Sequence, residues 1–258
     1  MSLIVTYHAI GPGPAWLATD PARLDAQLEG LARAGYRGVT LSDLLAQTAD
    51  QQATKQVAIT FDDGFASVYE HGWPRLRAYG WPATLFLVSD YCGRESRWPG
   101  QPPSAPSAPL MSWAQAAELA SAGWEIGAHS RSHPPLTELT PQRAEAEIIG
   151  SRDAINAQLG QPPRTFAYPY GATNRRIRRL VAGHYDAAVG TRLGLVSATS
   201  DRHCLPRVDA YYLEPGLIAH LSRPAGRLYL ALRQALRDMR RLAIRDWQPL
   251  ETAGGAHG

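Results

Sequence analysis

Lysine is almost absent from this chain of 258 residues: Lys55 is the only one, and arginine carries nearly all of the positive charge. The formal net charge is only +3. No stripe of basic residues alternates with aromatic residues, which argues against a nucleic-acid-binding protein. We therefore interpret the excess of arginine as a compositional bias of the source genome rather than as an anion-binding surface.

Cysteine and long apolar runs are also scarce. The two cysteines, Cys92 and Cys204, form no CxxC pair, which argues against a structural zinc knot or a disulfide scaffold. No window approaches the roughly 20 apolar residues of a membrane-spanning helix. Residues 1–8 lack the basic region, the apolar stretch and the cleavage site of a signal peptide. As it stands, the sequence predicts a cytoplasmic protein, or an exported one if the native leader is missing from it.

Apolar residues make up 45% of the chain, enough for a sizeable core, and short apolar strands alternate with longer amphipathic segments. The predicted strands cover residues 3–7, 39–41, 57–61, 83–88, 124–128, 164–167 and 186–189, and the predicted helices cover residues 21–34, 42–49, 67–79, 113–122, 140–159, 174–182 and 226–247. This alternation predicts an α/β fold with parallel strands and crossover helices. We expect the strands to close into a (β/α) barrel, with a doubly wound sheet as the alternative. No repeat or linker divides the chain, so residues 1–258 are predicted to form one domain.

Polar residues follow the ends of four predicted strands. His8, the pair Asp62 and Asp63, His129, and Tyr170 each lie at or just beyond such an end. The carboxyl ends of parallel barrel strands open on one face, where catalytic groups collect. Two adjacent carboxylates repel each other unless a cation or a proton lies between them. The sequence therefore predicts a polar site at one mouth of the barrel.

The histidines at positions 129 and 133 are four residues apart, a spacing typical of metal ligands. On one helical turn it places both imidazoles on the same side. With one carboxylate, His129 and His133 would form a set that leaves coordination positions open, as catalytic metal sites do. Such a set accepts zinc, cobalt, nickel or iron. Taken alone, such a pair more often reflects helix capping or surface histidines than a metal site.

The segment TFDDG at residues 60–64, followed by HSRSH at residues 129–133, resembles the first two motifs of the polysaccharide deacetylases, the NodB-type carbohydrate esterases. FAYPYG at residues 166–171 resembles their third motif. The opening YHAI at residues 7–10 is similar to a subset that includes the poly-N-acetylglucosamine deacetylases. The resemblance covers residues 3–209. It implies an irregular barrel of seven or eight strands and a hydrolase that removes N-acetyl groups from an amino-sugar polymer or oligosaccharide.

Matched position by position, the resemblance implies one divalent metal ion, with zinc as our leading candidate and cobalt, nickel or iron as alternatives. In the implied reaction, a water bound to the ion would be activated, Asp62 would remove a proton from that water, and His8 would protonate the departing amine. The backbone amide of Tyr170 helps to stabilise the oxyanion. The implied metal ligands are Asp63, His129 and His133.

Two departures from the family pattern concern supporting residues. The third motif usually carries an arginine that orients the base, but this chain has Ala167 at that position. Arg207 is our candidate source of the missing guanidinium. Asp209, two residues later, is a further candidate for a supporting residue. The C-terminal acid histidine of the family matches His220. We prefer His8 as the acid because it ends a strand at the predicted mouth, whereas His220 fits a packed core histidine.

Other interpretations of the site stay open. The missing arginine is compatible with a non-catalytic carbohydrate-binding member, and another N-acyl or O-acyl substrate would suit the same residues. A metal-independent glycosidase using Asp62 and Asp63 is disfavoured, because neighbours along a strand point to opposite faces. The proline-rich loop at residues 93–109 is predicted to be functional or mobile and to carry specificity. Trp98 and Trp113 beside it are candidates for contacts with a carbohydrate, with packing in the core as the alternative.

The segment 226–247 is predicted to be an appended helix rich in arginine and leucine. Such a helix could lie on a membrane surface. We favour the alternative, in which its leucine face packs against the barrel. The expected partners are therefore a carbohydrate substrate and no nucleic acid.

Overall fold

The computed structural model describes residues 2–46, 55–101, 106–221 and 223–243. The strands are β1 (Leu3–Tyr7), β2 (Ala9–Ile10), β3 (Ala18–Thr19), β4 (Tyr36–Val39), β5 (Lys55–Phe61), β6 (Thr84–Leu87), β7 (Glu125–Ala128), β8 (Thr165–Ala167), β9 (Ala187–Leu193) and β10 (Leu205–Asp209). The α-helices are α1 (Pro21–Arg33), α2 (Leu41–Ala46), α3 (Trp73–Ala78), α4 (Trp113–Ser121), α5 (Pro141–Leu159), α6 (Arg175–Ala182), α7 (Pro215–Ile218) and α8 (Pro224–Ala243).

Seven parallel strands close into a barrel. The order runs from β1 through β10, β9, β8, β7 and β6 to β5, which pairs with β1 again. Strand β4 lies outside this ring, paired with the first half of β5. The predicted (β/α) barrel is therefore confirmed, with seven strands in the ring, and the doubly wound alternative is wrong.

Alternate residues of the barrel strands pack on two sides. One buried cluster combines residues from six strands, and only the inside of the barrel lets all six meet. The neighbouring positions along the same strands join a larger cluster formed with the helices. Both faces of each strand are thus buried, as is usual for a parallel sheet covered by helices. The inner cluster contains Ile4, Ala58, Phe86, Ala167, Ala187, Val189 and Leu205.

Some predicted elements differ from the structure. The segment predicted as one helix over residues 67–79 begins with a π-helical turn, Val68–Gly72, before α3. Strand β10 was not predicted, because Pro206 inside it cannot donate to a sheet ladder and obscures the strand pattern. The helix predicted over residues 42–49 begins one residue earlier, and residues 47–49 lie outside the described residues.

The C-terminal helix corrects our favoured interpretation of residues 226–247. Helix α8 begins at Pro224, and residues 244–247 lie outside the described part of the chain. Its leucine face does not pack on the barrel, because four large apolar side chains are 46–60% exposed. They are Leu228, Leu232, Leu236 and Met239. Among the described residues, no helix is long and apolar enough to cross a membrane.

Candidate metal centre

The two adjacent carboxylates lie in a turn directly after β5. The Asp62 amide donates a hydrogen bond to the carbonyl of Tyr7, at 2.9 Å, so Asp62 still follows the barrel wall. Asp63 then has a φ of 70° and Gly64 a φ of 81°. A Cβ on Gly64 would lie 2.8 Å from Cδ2 of Leu87, so the turn needs glycine both for its conformation and for space. The turn separates the directions of the two carboxylates.

The two histidines are brought together by an irregular loop. His129 directly follows β7, while Ser130 and His133 have φ values of 63° and 61°. The loop is closed by a hydrogen bond of 3.0 Å from the His133 amide to Oγ of Ser130. Our prediction that one helical turn aligns the imidazoles is therefore wrong, although the two rings do meet.

Three ligand atoms converge on one point. Oδ1 of Asp63 lies 3.4 Å from Nε2 of His129 and 3.3 Å from Nε2 of His133, and the two nitrogens are 3.2 Å apart. All three side chains are buried. Four-coordinate zinc with ligands at about 2.0–2.1 Å requires edges of about 3.3 Å between ligand atoms. The observed triangle fits one face of such a tetrahedron.

The donor pattern favours a cation between these atoms. Nδ1 of His129 donates to the carbonyl of Ala167 at 2.8 Å, because a carbonyl can only accept. In the neutral ring, Nε2 of His129 therefore presents a lone pair to the site, oriented as in many metal-binding histidines. Oδ1 of Asp63 accepts no hydrogen bond from any described residue although it is buried. Lone pairs this close need a positive charge among them, and the three residues could bind a metal ion.

The pKa directions of these ligands show the same demand for positive charge. Burial would raise the pKa of Asp63, but the two histidines hold it well below its usual value, so the carboxylate is ionised. Burial lowers the pKa of His133 and keeps that ring neutral. The pKa of His129 would also be lowered by burial, but Asp63 and Asp62 raise it. One anion and two imidazoles are a common zinc ligand set.

Asp62 does not belong to this triangle, because a buried arginine binds it. Nη1 and Nη2 of Arg207 donate to Oδ1 and Oδ2 of Asp62, each at 2.7 Å. The guanidinium also donates to Thr6, Thr60 and the carbonyl of Gly190. Burial would raise the pKa of Asp62, but Arg207 lowers it below its usual value. The guanidinium missing at position 167 thus reaches Asp62 from β10, the source that we predicted.

The two candidate acid histidines have different surroundings. His8 follows β1, is partly buried, and lies close enough to Asp62, Asp63 and Asp209 to lower the pKa of each carboxyl, although burial has the larger effect on all three. Asp209 accepts a hydrogen bond of 2.8 Å from the Tyr211 amide, and burial raises its pKa.

His220 is placed elsewhere. It is exposed and lies just after α7, a helix that packs on α1 outside the barrel. Our alternative reading of it as a packed core histidine is therefore wrong.

Aromatic rings enclose His133 on two sides. The ring centroids of Trp98 and His133 are 4.4 Å apart. The ring centroids of Tyr170 and His133 are 4.5 Å apart, in an edge-to-face arrangement. Trp98 is only 6% exposed, so it forms a wall of the site and offers no open face to a sugar. Trp113 begins α4 and is partly buried against the core. The loop at residues 93–109 is thus tied to the site by Trp98, while residues 102–105 lie outside the described residues.

Left-handed backbone conformations concentrate at this centre. Non-glycine residues rarely adopt positive φ, and such strain clusters at functional sites. Within the described ranges, every non-glycine residue with positive φ lies here. They are Asp63 (70°), Ser130 (63°), His133 (61°) and Tyr170 (57°).

One supporting residue was missed by the sequence analysis. Glu147 of α5 accepts hydrogen bonds from the amides of Arg131 and Ser132, both at 2.9 Å, and from Oγ of Ser132 at 2.6 Å. It therefore fixes the loop between the two histidines. An acidic residue inside a long polar helix carries no sequence signal of such a role.

Comparisons with known proteins agree with this geometry. A family model described as "Polysaccharide deacetylase" matches residues 49–185. The Bacillus subtilis protein named "Putative polysaccharide deacetylase YxkH" is 27% identical over 217 residues, which are 83% of this chain and 72% of that protein. The peptidoglycan-N-acetylglucosamine deacetylase PgdA of Listeria monocytogenes is 25% identical over 162 residues, 62% of this chain but only 31% of PgdA.

A solved structure is also similar. The Streptococcus pyogenes deacetylase PplD, in complex with acetate, has a TM-score of 0.74 and 25% identity. The match covers 86% of this chain and 98% of that one.

Proposed function

Because this chain belongs to the polysaccharide deacetylase family, we propose that it is a metal-dependent hydrolase that removes N-acetyl groups from an amino-sugar polymer or oligosaccharide. The observation that carries the proposal is the pairing of two units at one barrel mouth. One unit is the convergent triangle of Asp63, His129 and His133, and the other is the carboxylate of Asp62 held by Arg207. A site that only bound metal would not need the second unit.

Asp62 is the general base in this proposal. Its lowered pKa keeps it ionised at neutral pH, and the bidentate contact with Arg207 fixes its orientation. Arg207 acts through Asp62 and is a positioning residue. The contact also removes the main support for a non-catalytic role, since that alternative depended on a base without an orienting guanidinium.

His8 is the proposed general acid. It sits at the end of β1, near Asp62 and Asp209, where it could protonate a departing amine. The amide of Tyr170, in a strained turn beside His133, is the proposed oxyanion donor. Gly171 supports this turn, because a Cβ there would lie 2.2 Å from Oγ1 of Thr191.

Zinc is the metal that we propose for the triangle. The edges of 3.2–3.4 Å match four-coordinate zinc, and the nitrogen and oxygen donors also suit cobalt, nickel or iron. When bound, the ion would polarise the acyl oxygen and lower the pKa of a coordinated water. The proposed substrate class rests on PgdA, whose name specifies N-acetylglucosamine in peptidoglycan.

Two substitutions separate metal binding from catalysis. Asp62→Asn should retain about one equivalent of zinc by elemental analysis while acetate release from N-acetylglucosamine oligomers falls by about a hundredfold or more. His129→Ala should lose both the metal and the activity. His71→Ala, at an exposed position, is the control and should change neither. Equal metal contents in Asp62→Asn and His129→Ala would contradict the assigned roles.

A second pair of variants tests which histidine is the general acid. We expect His8→Ala to reduce acetate release by about a hundredfold without loss of metal, because the amine then leaves unprotonated. His220→Ala should behave like the unmodified protein, since that side chain is exposed outside the barrel. The reverse ranking would transfer the acid role to His220.

A further inference from the structure

Helix α8 presents an apolar stripe away from the barrel. We define the outer stripe as Leu228, Leu232, Leu236 and Met239, which are 60%, 57%, 46% and 56% exposed. Their spacing of four, four and three residues places them on one side of the helix. Among the described residues, Tyr79 is the only other large apolar side chain that is exposed. The exposed apolar surface is therefore concentrated on this single helix.

The opposite side of α8 anchors the helix to the barrel. Leu230 and Arg237 are 2% and 5% exposed, and Nη1 of Arg237 donates to the carbonyl of Thr191 in β9 at 3.0 Å. Oε1 of Gln234 accepts a hydrogen bond of 2.8 Å from the Leu193 amide. With these contacts holding the inner side, the helix cannot rotate the outer stripe onto the barrel.

Positive charge accompanies the outer stripe. Five arginines and one aspartate give α8 a formal charge of +4, more than the +3 of the whole chain. At about 100° per residue, Arg240 and Arg233 follow the stripe on one side, whereas Asp238 follows it on the other side and Arg227 lies beyond that aspartate. An apolar strip with arginines along its edge, on a helix of net positive charge, is the pattern of helices that lie in the interface of a bilayer with anionic lipids.

We propose that α8 docks the protein, through the outer stripe, on the surface of a bilayer that contains anionic phospholipids. Phosphate headgroups would contact Arg233 and Arg240 while the leucines enter the acyl boundary. A second copy of this chain is a poorer occupant, because two helices of charge +4 would repel each other across a paired stripe. The proposal is independent of the deacetylase mechanism.

Vesicle sedimentation tests the proposal with the full chain. The protein should pellet with vesicles of phosphatidylcholine and phosphatidylglycerol, and at least tenfold more weakly with phosphatidylcholine alone. The double variant Leu232→Glu/Leu236→Glu should reduce binding to the mixed vesicles at least tenfold. Tyr79→Glu introduces one charge at an exposed apolar position just after α3 and is the control, with unchanged binding. Circular dichroism and acetate release from a soluble oligomer should stay unchanged in both variants.

Three results would overturn the proposal. The first is no sedimentation with the mixed vesicles. The second is binding that the double variant leaves intact. The third, a dimer in sedimentation equilibrium that the double variant dissociates, without any vesicle binding, would assign the outer stripe to a second copy.

Discussion

Replacing Arg207 by methionine should both destabilise the protein and stop catalysis. Methionine has a similar length but no charge, so Asp62 would be left as a buried carboxylate without its partner. The pair is almost inaccessible, with side chains 2% and 4% exposed, and its two hydrogen bonds are both 2.7 Å. The substitution therefore breaks a buried ion pair rather than one exposed to solvent.

The expected loss of unfolding free energy is about 3–5 kcal/mol, the range for breaking a buried ion pair by removing one partner. The hydroxyl groups of Thr6 and Thr60 and the carbonyl of Gly190 would also lose a donor. The double variant Arg207→Met/Asp62→Asn has no unpaired charge at these two positions, so it should recover part of this loss.

Urea unfolding in the presence of a chelator measures these differences without a contribution from bound metal. Arg164→Met is the matched control, because Arg164 also lies 2.7 Å from a carboxylate, that of Asp186, but their side chains are 67% and 51% exposed. We expect Arg164→Met to lower the free energy of unfolding by less than about 1 kcal/mol. An Arg207→Met variant that is no less stable than Arg164→Met would refute the reasoning.

The pH dependence gives an independent check. In the unmodified protein, burial would raise the pKa of Asp62 but Arg207 lowers it, so the ionised carboxylate stabilises the fold above pH 4 and this contribution is lost as the pH falls. In Arg207→Met the effect of burial is opposed only by His129 and His8, so the pKa of Asp62 rises. The difference in unfolding free energy between the variant and the wild type should then be largest near neutral pH. It should become smaller as the pH falls, because Asp62 is then protonated.

Two further predictions concern groups around the site. Glu147→Ala should weaken zinc binding by about ten- to a hundredfold in competition with a chromophoric chelator, because the amides of Arg131 and Ser132 lose their acceptor. Glu145→Ala, exposed on the same helix, should bind zinc normally, and equal losses in both would exclude a specific role for Glu147. Burial raises the pKa of Cys92 to about 12, so iodoacetamide at pH 8 should label this thiol far more slowly in the folded than in the unfolded protein. Similar labelling rates would show that the thiol is accessible.

The barrel was predicted from local signals in the sequence, and the ligand triangle from the resemblance of two short motifs to those of the family. Alternating apolar segments indicate parallel strands, and TFDDG and HSRSH each lie within five residues. What could not be predicted depends on contacts between distant segments. Glu147 reaches the histidine loop from α5, and the direction of the leucine face of α8 depends on which side the barrel covers. The helical geometry expected for His129 and His133 failed for a different reason, because spacing alone does not distinguish a helix from a loop with two left-handed residues.

Adjacent carboxylates can serve different purposes here because the backbone turns between them. On a regular strand, Asp62 and Asp63 would point to opposite faces of the barrel wall. The left-handed conformations of Asp63 and Gly64 break that alternation and direct Asp63 to the histidines, while Asp62 stays with Arg207. Each carboxylate then has its own source of positive charge, the guanidinium for one and the proposed cation for the other. The mutual repulsion that made the pair conspicuous in the sequence is thereby offset at both positions.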